Sequence, residues 1–288
     1  MNPDRNHKIR PPAWAGAFYP ADPFELRQQV QKLLDEVDPV HVSGHLWGLI
    51  VPHAGYVYSG RTAAHGYRLV QGQKLKTVFV LAPSHAEWFN GVAVYGGDEY
   101  TTPLGSVTVD QVKVKALTDR SDLISISESG HRVRGDRAEH SLEVQLPFLQ
   151  VALAEPFRLV AIVFHDYRAS VCKALGLALA SVIEDTDLMV ASTDLYHGYS
   201  YDECRRSDDA TLQAMMAFDP DAFCAAIQAE TVQACGAGPV AALLYAAKEK
   251  KADKVQLLHQ TNSADVTGTH GGWTVGYAGL SVSECRNT

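Results

Sequence analysis

In the segment Asp187-Leu-Met-Val-Ala-Ser-Thr-Asp-Leu-Tyr-His197, a short apolar run ends abruptly in polar side chains, and this pattern indicates the fold class of the chain. The run at 188–191 is short and bounded by turn-forming residues, which is typical of a buried strand in an α/β sheet. Asp194 and His197 follow the run at once. Because ligands of open α/β sheets collect beyond the carboxyl ends of the strands, these two side chains are candidates for a functional site.

The same pattern recurs along the chain, because three further apolar runs also end in a histidine. If the four strands are parallel, all four histidines project over one edge of one sheet. The pattern predicts an α/β fold, with a mixed, largely parallel central sheet flanked by helices, in a single domain over residues 1–288. The three further runs are Leu46-Trp-Gly-Leu-Ile-Val-Pro-His53, Thr77-Val-Phe-Val-Leu-Ala-Pro-Ser-His85 and Arg158-Leu-Val-Ala-Ile-Val-Phe-His165.

Local signals predict the elements around these strands. Asp22, Pro23 and Glu25 have the residue types of a helix start, namely a cap, a first helical position and a capping box. The other predicted elements are an ordered extended arm over residues 10–19, a loop over 54–61 followed by a helix from about 62 to 70, a hairpin with its turn at 103–105, and a helix that Ser141 caps and that continues to 149.

Composition excludes several classes of protein. The formal net charge of −8 and the absence of a basic stripe argue against nucleic acid as a partner. The 5 cysteines are odd in number and form no C-x-x-C pair, which favours reduced thiols over a disulfide framework. The N-terminus lacks the apolar core of a signal peptide, and no apolar run is long enough to span a bilayer. We therefore expect a cytoplasmic protein that does not associate with membranes.

The histidines at the strand ends predict a metal site. Neutral imidazole is a common ligand of iron, copper and zinc, and His53 and His85 are the natural pair because each directly follows a strand. Cys235 is a candidate third ligand, since the N–H groups of the helix that follows it would lower the pKa of its thiol. Asp194 is the oxygen alternative. His197 would then be free to act as an acid or base.

Four further residues are candidates for substrate binding. Tyr56 follows the first histidine-terminated strand and could wall the pocket. Arg61 could hold an anion or pair with a carboxylate. His140 and Glu143 are three residues apart in a predicted helix, so they could share one face that points toward the site. His165 ends the fourth strand, but the sequence assigns it no role.

At this point the residues resemble the Memo family, which includes the microbial proteins called AmmeMemoRadiSam system protein B. The matching motifs extend over nearly the whole chain and occur in the family's order. They are Ala15-Gly-Ala-Phe-Tyr-Pro20, Pro52-His-Ala-Gly-Tyr-Val-Tyr-Ser-Gly60, Ala82-Pro-Ser-His85, Thr102-Pro-Leu-Gly105, Glu139-His-Ser-Leu-Glu143, Ser192-Thr-Asp-Leu-Tyr-His197 and Cys235-Gly-Ala-Gly-Pro239.

The resemblance implies a fold like that of the class III extradiol ring-cleaving dioxygenases, with a non-haem metal site. It implies that His53, His85 and Cys235 bind the metal and that His197, with Asp194 beside it, acts as acid/base. The ring-cleaving relatives use a glutamate where this family has the cysteine. The resemblance implies iron(II) or copper(I) as the cofactor, with zinc as an alternative, and the softer thiolate shifts the preference toward copper(I) or zinc.

Three functions remain open from the sequence. The first is a metalloprotein with redox or dioxygenase-type chemistry on a small organic substrate. The second is a non-catalytic module that binds a peptide or protein in the former active-site cleft, and the third is a metal-dependent hydrolase. The resemblance also implies a radical-SAM enzyme as a pathway partner.

Overall fold

A computed structural model describes residues 7–133 and 138–284, so Cys285, one of the cysteines predicted to be reduced, lies outside the described residues. The other four cysteines are free thiols, as predicted. The described residues form twelve strands: β1 (Ile9–Arg10), β2 (His45–Val51), β3 (Thr77–Pro83), β4 (Val92–Val94), β5 (Glu99–Thr102), β6 (Gly105–Thr108), β7 (Ile124–Ile126), β8 (Arg158–Phe164), β9 (Asp187–Ser192), β10 (His197–Gly198), β11 (Lys254–Asn262) and β12 (Thr274–Glu284).

The same residues form nine α-helices and two short 3-10 turns. Among them, no helix combines the length and the apolar composition that crossing a membrane requires. The helices are α1 (Pro23–Asp35), α2 (Tyr56–Tyr67), α3 (Gln111–Thr118), α4 (Leu146–Ala152), α5 (Ala169–Val182), α6 (Tyr201–Met216), α7 (Pro220–Gln228), α8 (Ala237–Glu249) and α9 (Ser263–Thr267), and the 3-10 turns are Arg68–Val70 and Glu143–Gln145.

The centre of the fold is a mixed sheet of nine strands within the described ranges, and its main path has the order β10-β12-β2-β9-β3-β8-β4-β7. The four central strands β2, β9, β3 and β8 are mutually parallel, as predicted from the histidine-terminated runs. Every residue of β3 and β9 is buried, which explains why their sequences are continuous apolar runs rather than alternating ones. Their carboxyl ends therefore share one edge of the sheet.

Helices cover both faces of this sheet. A Cβ added at Gly48 of β2 would meet the side chain of Leu243 in α8, only 2.9 Å away. A Cβ added at Gly66 of α2 would meet Val51, whose side chain lies on the opposite face of β2 because it is three residues along the strand. The small residues thus let α2 and α8 pack closely against the same strand from opposite sides.

A second, three-stranded sheet has the order β1-β5-β6 and lies near the N-terminus of the described chain. Its antiparallel pair, β5 and β6, is the predicted hairpin, with Pro103 and Leu104 in the turn. The predicted helix start at Asp22 is also confirmed, because its side chain accepts hydrogen bonds from the backbone N–H groups of Phe24 and Glu25.

Three local predictions were wrong. The arm over 10–19 is ordered but not extended, because the N–H groups of Ala17 and Phe18 donate to the carbonyl oxygen of Trp14 and form a turn. The predicted loop over 54–61 is largely helical, since α2 begins at Tyr56, whose N–H donates to the carbonyl oxygen of Phe18. Ser141 does not cap a helix: its hydroxyl donates to the carbonyl oxygen of Pro83 at 2.8 Å, and the α-helix begins only at Leu146. A tertiary acceptor has replaced the local capping bond in this case.

Candidate metal centre

Three histidines from separate segments converge at the carboxyl edge of the central sheet. His53 and His85 follow β2 and β3, and His140 precedes the 3-10 turn that leads into α4. One ring nitrogen of each lies within 4.8 Å of the others, a group that could hold a metal ion. His53 is 2% exposed, whereas the side chains of His85 and His140 are 37% and 20% exposed. The cluster therefore has a buried floor and opens to solvent on one side.

The hydrogen bonds of Ser192 determine which nitrogen of His53 is free. The Ser192 hydroxyl donates to the carbonyl oxygen of Ser141 at 2.7 Å and accepts from Nε2 of Gln145 at 2.7 Å. The single hydroxyl proton is used in the bond to Ser141. The Ser192 oxygen must therefore accept a hydrogen bond from Nδ1 of His53, which is 2.9 Å away. The lone pair of His53 is then on Nε2, the atom that faces the cluster.

The same logic applies to His85 and His197. Nδ1 of His85 lies 3.1 Å from a carboxylate oxygen of Glu139, and Nδ1 of His197 lies 2.9 Å from the carbonyl oxygen of Leu195. Both partners can only accept, so each Nδ1 carries the proton and each Nε2 is left as a base or ligand. This arrangement of acceptors behind the imidazoles is the one that proteins use to orient metal-binding histidines.

Cys235 and Asp194 complete the floor of the site. Sγ of Cys235 lies 3.2 Å from Nε2 of His53, and the N–H of Asp194 donates to the same sulfur at 3.2 Å. The Asp194 carboxylate accepts from the N–H of His53 at 2.8 Å, and its other oxygen is 3.9 Å from Nε2 of His53. The sequence left Cys235 and Asp194 as alternative candidates for a third ligand, and the structure places both beside His53.

The electrostatics favour neutral imidazoles. Burial, together with the neighbouring imidazoles, holds the pKa of His53 well below its usual value, and burial lowers the pKa of His140 to about 4. Burial also acts to lower the pKa of His85, but the hydrogen bond and the charge of Glu139 raise it overall. Unprotonated imidazole is the form that binds a metal, so two of the three ligands need not lose a proton near neutral pH.

Burial acts in the opposite direction on the two acids. It raises the pKa of Asp194 to about 7, although backbone N–H groups partly offset this effect. Burial and the nearby Asp194 raise the pKa of the Cys235 thiol, which contradicts the expectation that the helix N-terminus would lower it. The desolvation of a buried thiolate outweighs the helix dipole here. A metal cation would have to supply the charge that stabilises the thiolate.

The other residues predicted from the sequence lie outside the three-histidine cluster. The Tyr56 hydroxyl donates to the carbonyl oxygen of Val144 at 2.6 Å, and its ring packs in the core against Tyr19 and Phe148. Arg61 is exposed on α2. His165 lies at the same sheet edge, where its Nδ1 is 3.1 Å from the carbonyl oxygen of Ser84 and its ring packs against Trp88.

The sequence did not predict the role of Glu139 and Ser192, which accept hydrogen bonds from the imidazoles of His85 and His53. Glu139 is 2% exposed and accepts from the N–H groups of His140 and Ser141 as well as from His85. It directly precedes His140 in the sequence, but the neighbouring residues do not indicate that its carboxylate accepts a hydrogen bond from a histidine 54 residues away. For Ser192, the one feature of the sequence that pointed to the site was its position at the end of the predicted strand β9.

Comparisons with known proteins find matches over nearly the whole chain. A family model described as "Memo-like protein" matches residues 10–281. A MEMO1 family protein of Thermoplasma acidophilum is 35% identical over 273 residues, which cover 94% of this chain and 97% of that protein. A MEMO1 family protein of Methanopyrus kandleri is 34% identical, with coverage of 94% and 98%. In fold, the crystal structure of an uncharacterised Escherichia coli K12 protein, JW3007, matches with a TM-score of 0.50 at 12% identity, over 80% of this chain and 99% of that chain.

Proposed function

The chain belongs to the Memo family, and from this premise we propose that it is a metalloprotein that binds iron(II) or copper(I) through His53, His85 and His140, with Cys235 as a further donor. The observation that carries the proposal is the orientation of the imidazoles. The acceptors behind His53 and His85 hold the protons on Nδ1 and leave both Nε2 atoms unprotonated, with Sγ of Cys235 3.2 Å from that of His53. Zinc would suit the same nitrogen and sulfur donors.

We propose that the bound ion takes part in redox or dioxygenase-type chemistry on a small organic substrate. An iron or copper ion would supply one-electron chemistry and polarise a bound oxygen atom. His197 would accept a proton from the substrate at its free Nε2, because Nδ1 is tied to the carbonyl oxygen of Leu195. Asp194, with a pKa of about 7, could exchange a proton at neutral pH. The half-exposed side of the cluster is where the substrate would enter.

The first experiment measures the metal content of protein purified without oxygen or chelators. We expect about one iron or copper ion per chain, because the ligands converge on one point. The His53→Ala/His85→Ala double variant should contain none. A matched control is the His65→Ala/His259→Ala double variant, which removes two stacked histidines outside the cluster and should retain the metal.

If neither the native protein nor the control bound metal, even after reconstitution with ferrous and cuprous ions, the proposal would be wrong. The cleft would then be better treated as a surface for a peptide or protein.

The role of the thiol has a separate test. Cys235→Ser should lower the affinity for copper(I) more than for zinc, because the softer ion depends more on sulfur. Cys204→Ser is the control, since Cys204 is a free thiol buried in α6. Equal copper(I) affinity in the two variants would remove Cys235 from the ligand set.

A further inference from the structure

The N-terminal arm, residues 10–19, lies against the cluster. The ring of Phe18 packs on His140 with the centroids 4.5 Å apart, and Trp14 packs edge-on against Phe18 at 5.0 Å. The carbonyl oxygen of Phe18 accepts from the N–H of Tyr56, at 2.8 Å, where α2 begins just after His53. The arm therefore contacts the segments that carry two of the three histidines.

Glu143 anchors this arm. Its carboxylate is fully buried and accepts hydrogen bonds from Nη1 of Arg10 at 2.6 Å, the N–H of Ala13 at 3.0 Å, the N–H of Trp14 at 2.8 Å and the hydroxyl of Tyr19 at 2.6 Å. All four donors belong to the arm. The carboxylate that the sequence predicted to bind substrate is thus occupied by the protein itself.

His140 depends on packing more than its two partners do. Its Nδ1 lies 3.5 Å from the Glu139 carboxylate, compared with 3.1 Å for His85, and a contact of that length orients a ring weakly. The ring instead packs against Phe18, with the centroids 4.5 Å apart, and stacks on His85 at 5.0 Å. Release of Phe18 would remove one of these two packing contacts.

We propose that Glu143 is a positioning residue for the metal centre: by holding the arm, it keeps Phe18 on His140 and so keeps that imidazole turned toward His53 and His85. The proposal rests on the proposed function, because the orientation of His140 matters only if the cluster binds a metal. A purely structural anchor would hold the arm equally well but would have no effect on His140.

The first test uses metal-free protein and observes the imidazole C–H signals by NMR. Glu143→Gln keeps the shape of the side chain but removes the charge that Arg10 and the arm N–H groups require. Phe18→Leu removes only the ring and serves as the second variant if loss of the buried charge prevents folding. We expect the His140 signal to shift in both variants, with faster amide exchange in residues 10–19 of Glu143→Gln.

Two surface variants are the matched controls for this test. Glu155→Gln changes an exposed carboxylate, and Phe24→Leu changes a ring that is 68% exposed in α1. Neither should move the His140 signal. A His140 signal that also stays unchanged in Glu143→Gln and Phe18→Leu would overturn the proposal.

The second test titrates the native protein and its variants with Co²⁺ as the probe. Glu143→Gln should lower the affinity by about tenfold, the loss typical of groups that orient a ligand, and His140→Ala, which removes the imidazole itself, should lower it at least as much. In the double variant the loss should be no greater than in His140→Ala alone, because Glu143 acts through that ring.

Additive losses in the double variant would overturn the proposal, since Glu143 would then act independently of His140. A native protein that fails to bind Co²⁺ would contradict the proposed function instead, and the NMR shifts would still decide whether Glu143 positions the ring.

Discussion

At the scale of single residues, the site depends on acceptors that lie behind the imidazoles. One of these acceptors is Glu139, whose carboxylate accepts hydrogen bonds from both the backbone N–H and the ring Nδ1 of His85. An ionised carboxylate can only accept, so it fixes one tautomer of the imidazole. An amide in its place can also donate, and would allow the other tautomer.

We therefore predict that Glu139→Gln lowers metal affinity about 10- to 100-fold while the protein stays folded. The affinity is measured by Co²⁺ titration, and folding by circular dichroism. Glu128→Gln is the control, because Glu128 pairs with Lys8 at the surface and should leave the affinity unchanged. Equal affinities for the two variants would show that the carboxylate does not orient His85 in a way that matters for binding.

At the scale of elements, the position of α8 is set by close packing against α5 and the sheet. Residues 237–247 of α8 are all buried, and Gly176 of α5 lies directly against them. A Cβ at Gly176 would come within 2.3 Å of Cβ of Tyr245 and 2.8 Å of the carbonyl oxygen of Ala242. Since Cys235 immediately precedes α8, this contact also helps to place the thiol beside His53.

Gly176→Ala should lower the free energy of unfolding by about 1–3 kcal/mol, because the backbones must separate to admit the methyl group. Urea denaturation measures the loss. Leu177→Ala, which changes a residue of α5 that is 44% exposed, should cost about 0.5 kcal/mol or less. A stability loss no larger for Gly176→Ala than for Leu177→Ala would show that the two helices can adjust at no cost.

At the scale of the whole molecule, buried titratable groups make stability depend on pH in opposite senses. Burial lowers the pKa of His131 to about 3, so below about pH 6.5 the unfolded chain binds a proton there that the folded protein does not. Stability is therefore lost as the pH falls through this range. Asp208 acts in the opposite sense, because burial raises its pKa to about 6 and the folded state binds the extra proton.

The contribution of His131 can be isolated with His131→Gln, which keeps a donor for the carbonyl oxygen of Ala93. Between about pH 5.5 and 4.5, the native protein should lose about 1.4 kcal/mol per pH unit more than the variant. Urea denaturation at several pH values from 7.5 to 4.5 measures both slopes. Parallel curves would mean that His131 is protonated in the folded protein.

The pattern of apolar runs was sufficient to predict the central strands, their largely parallel direction and the edge of the sheet where His53 and His85 meet. Such information is local: an apolar run that ends in Pro-His or Ser-Thr-Asp predicts a buried strand and the position of the next polar group. The helix start at Asp22 and the hairpin near Pro103 were predictable for the same reason, because each depends on residues that are adjacent in the chain.

The hydrogen-bond partner of each buried polar side chain could not be predicted from the sequence, because it depends on how distant segments pack together. Glu139 and Glu143 are only four residues apart in the chain, yet Glu139 accepts a hydrogen bond from His85 and Glu143 binds an arm about 130 residues away. Ser141 could have capped a helix and instead donates to Pro83. A buried polar group must find a partner wherever the fold supplies one, and chain separation imposes no limit on that choice.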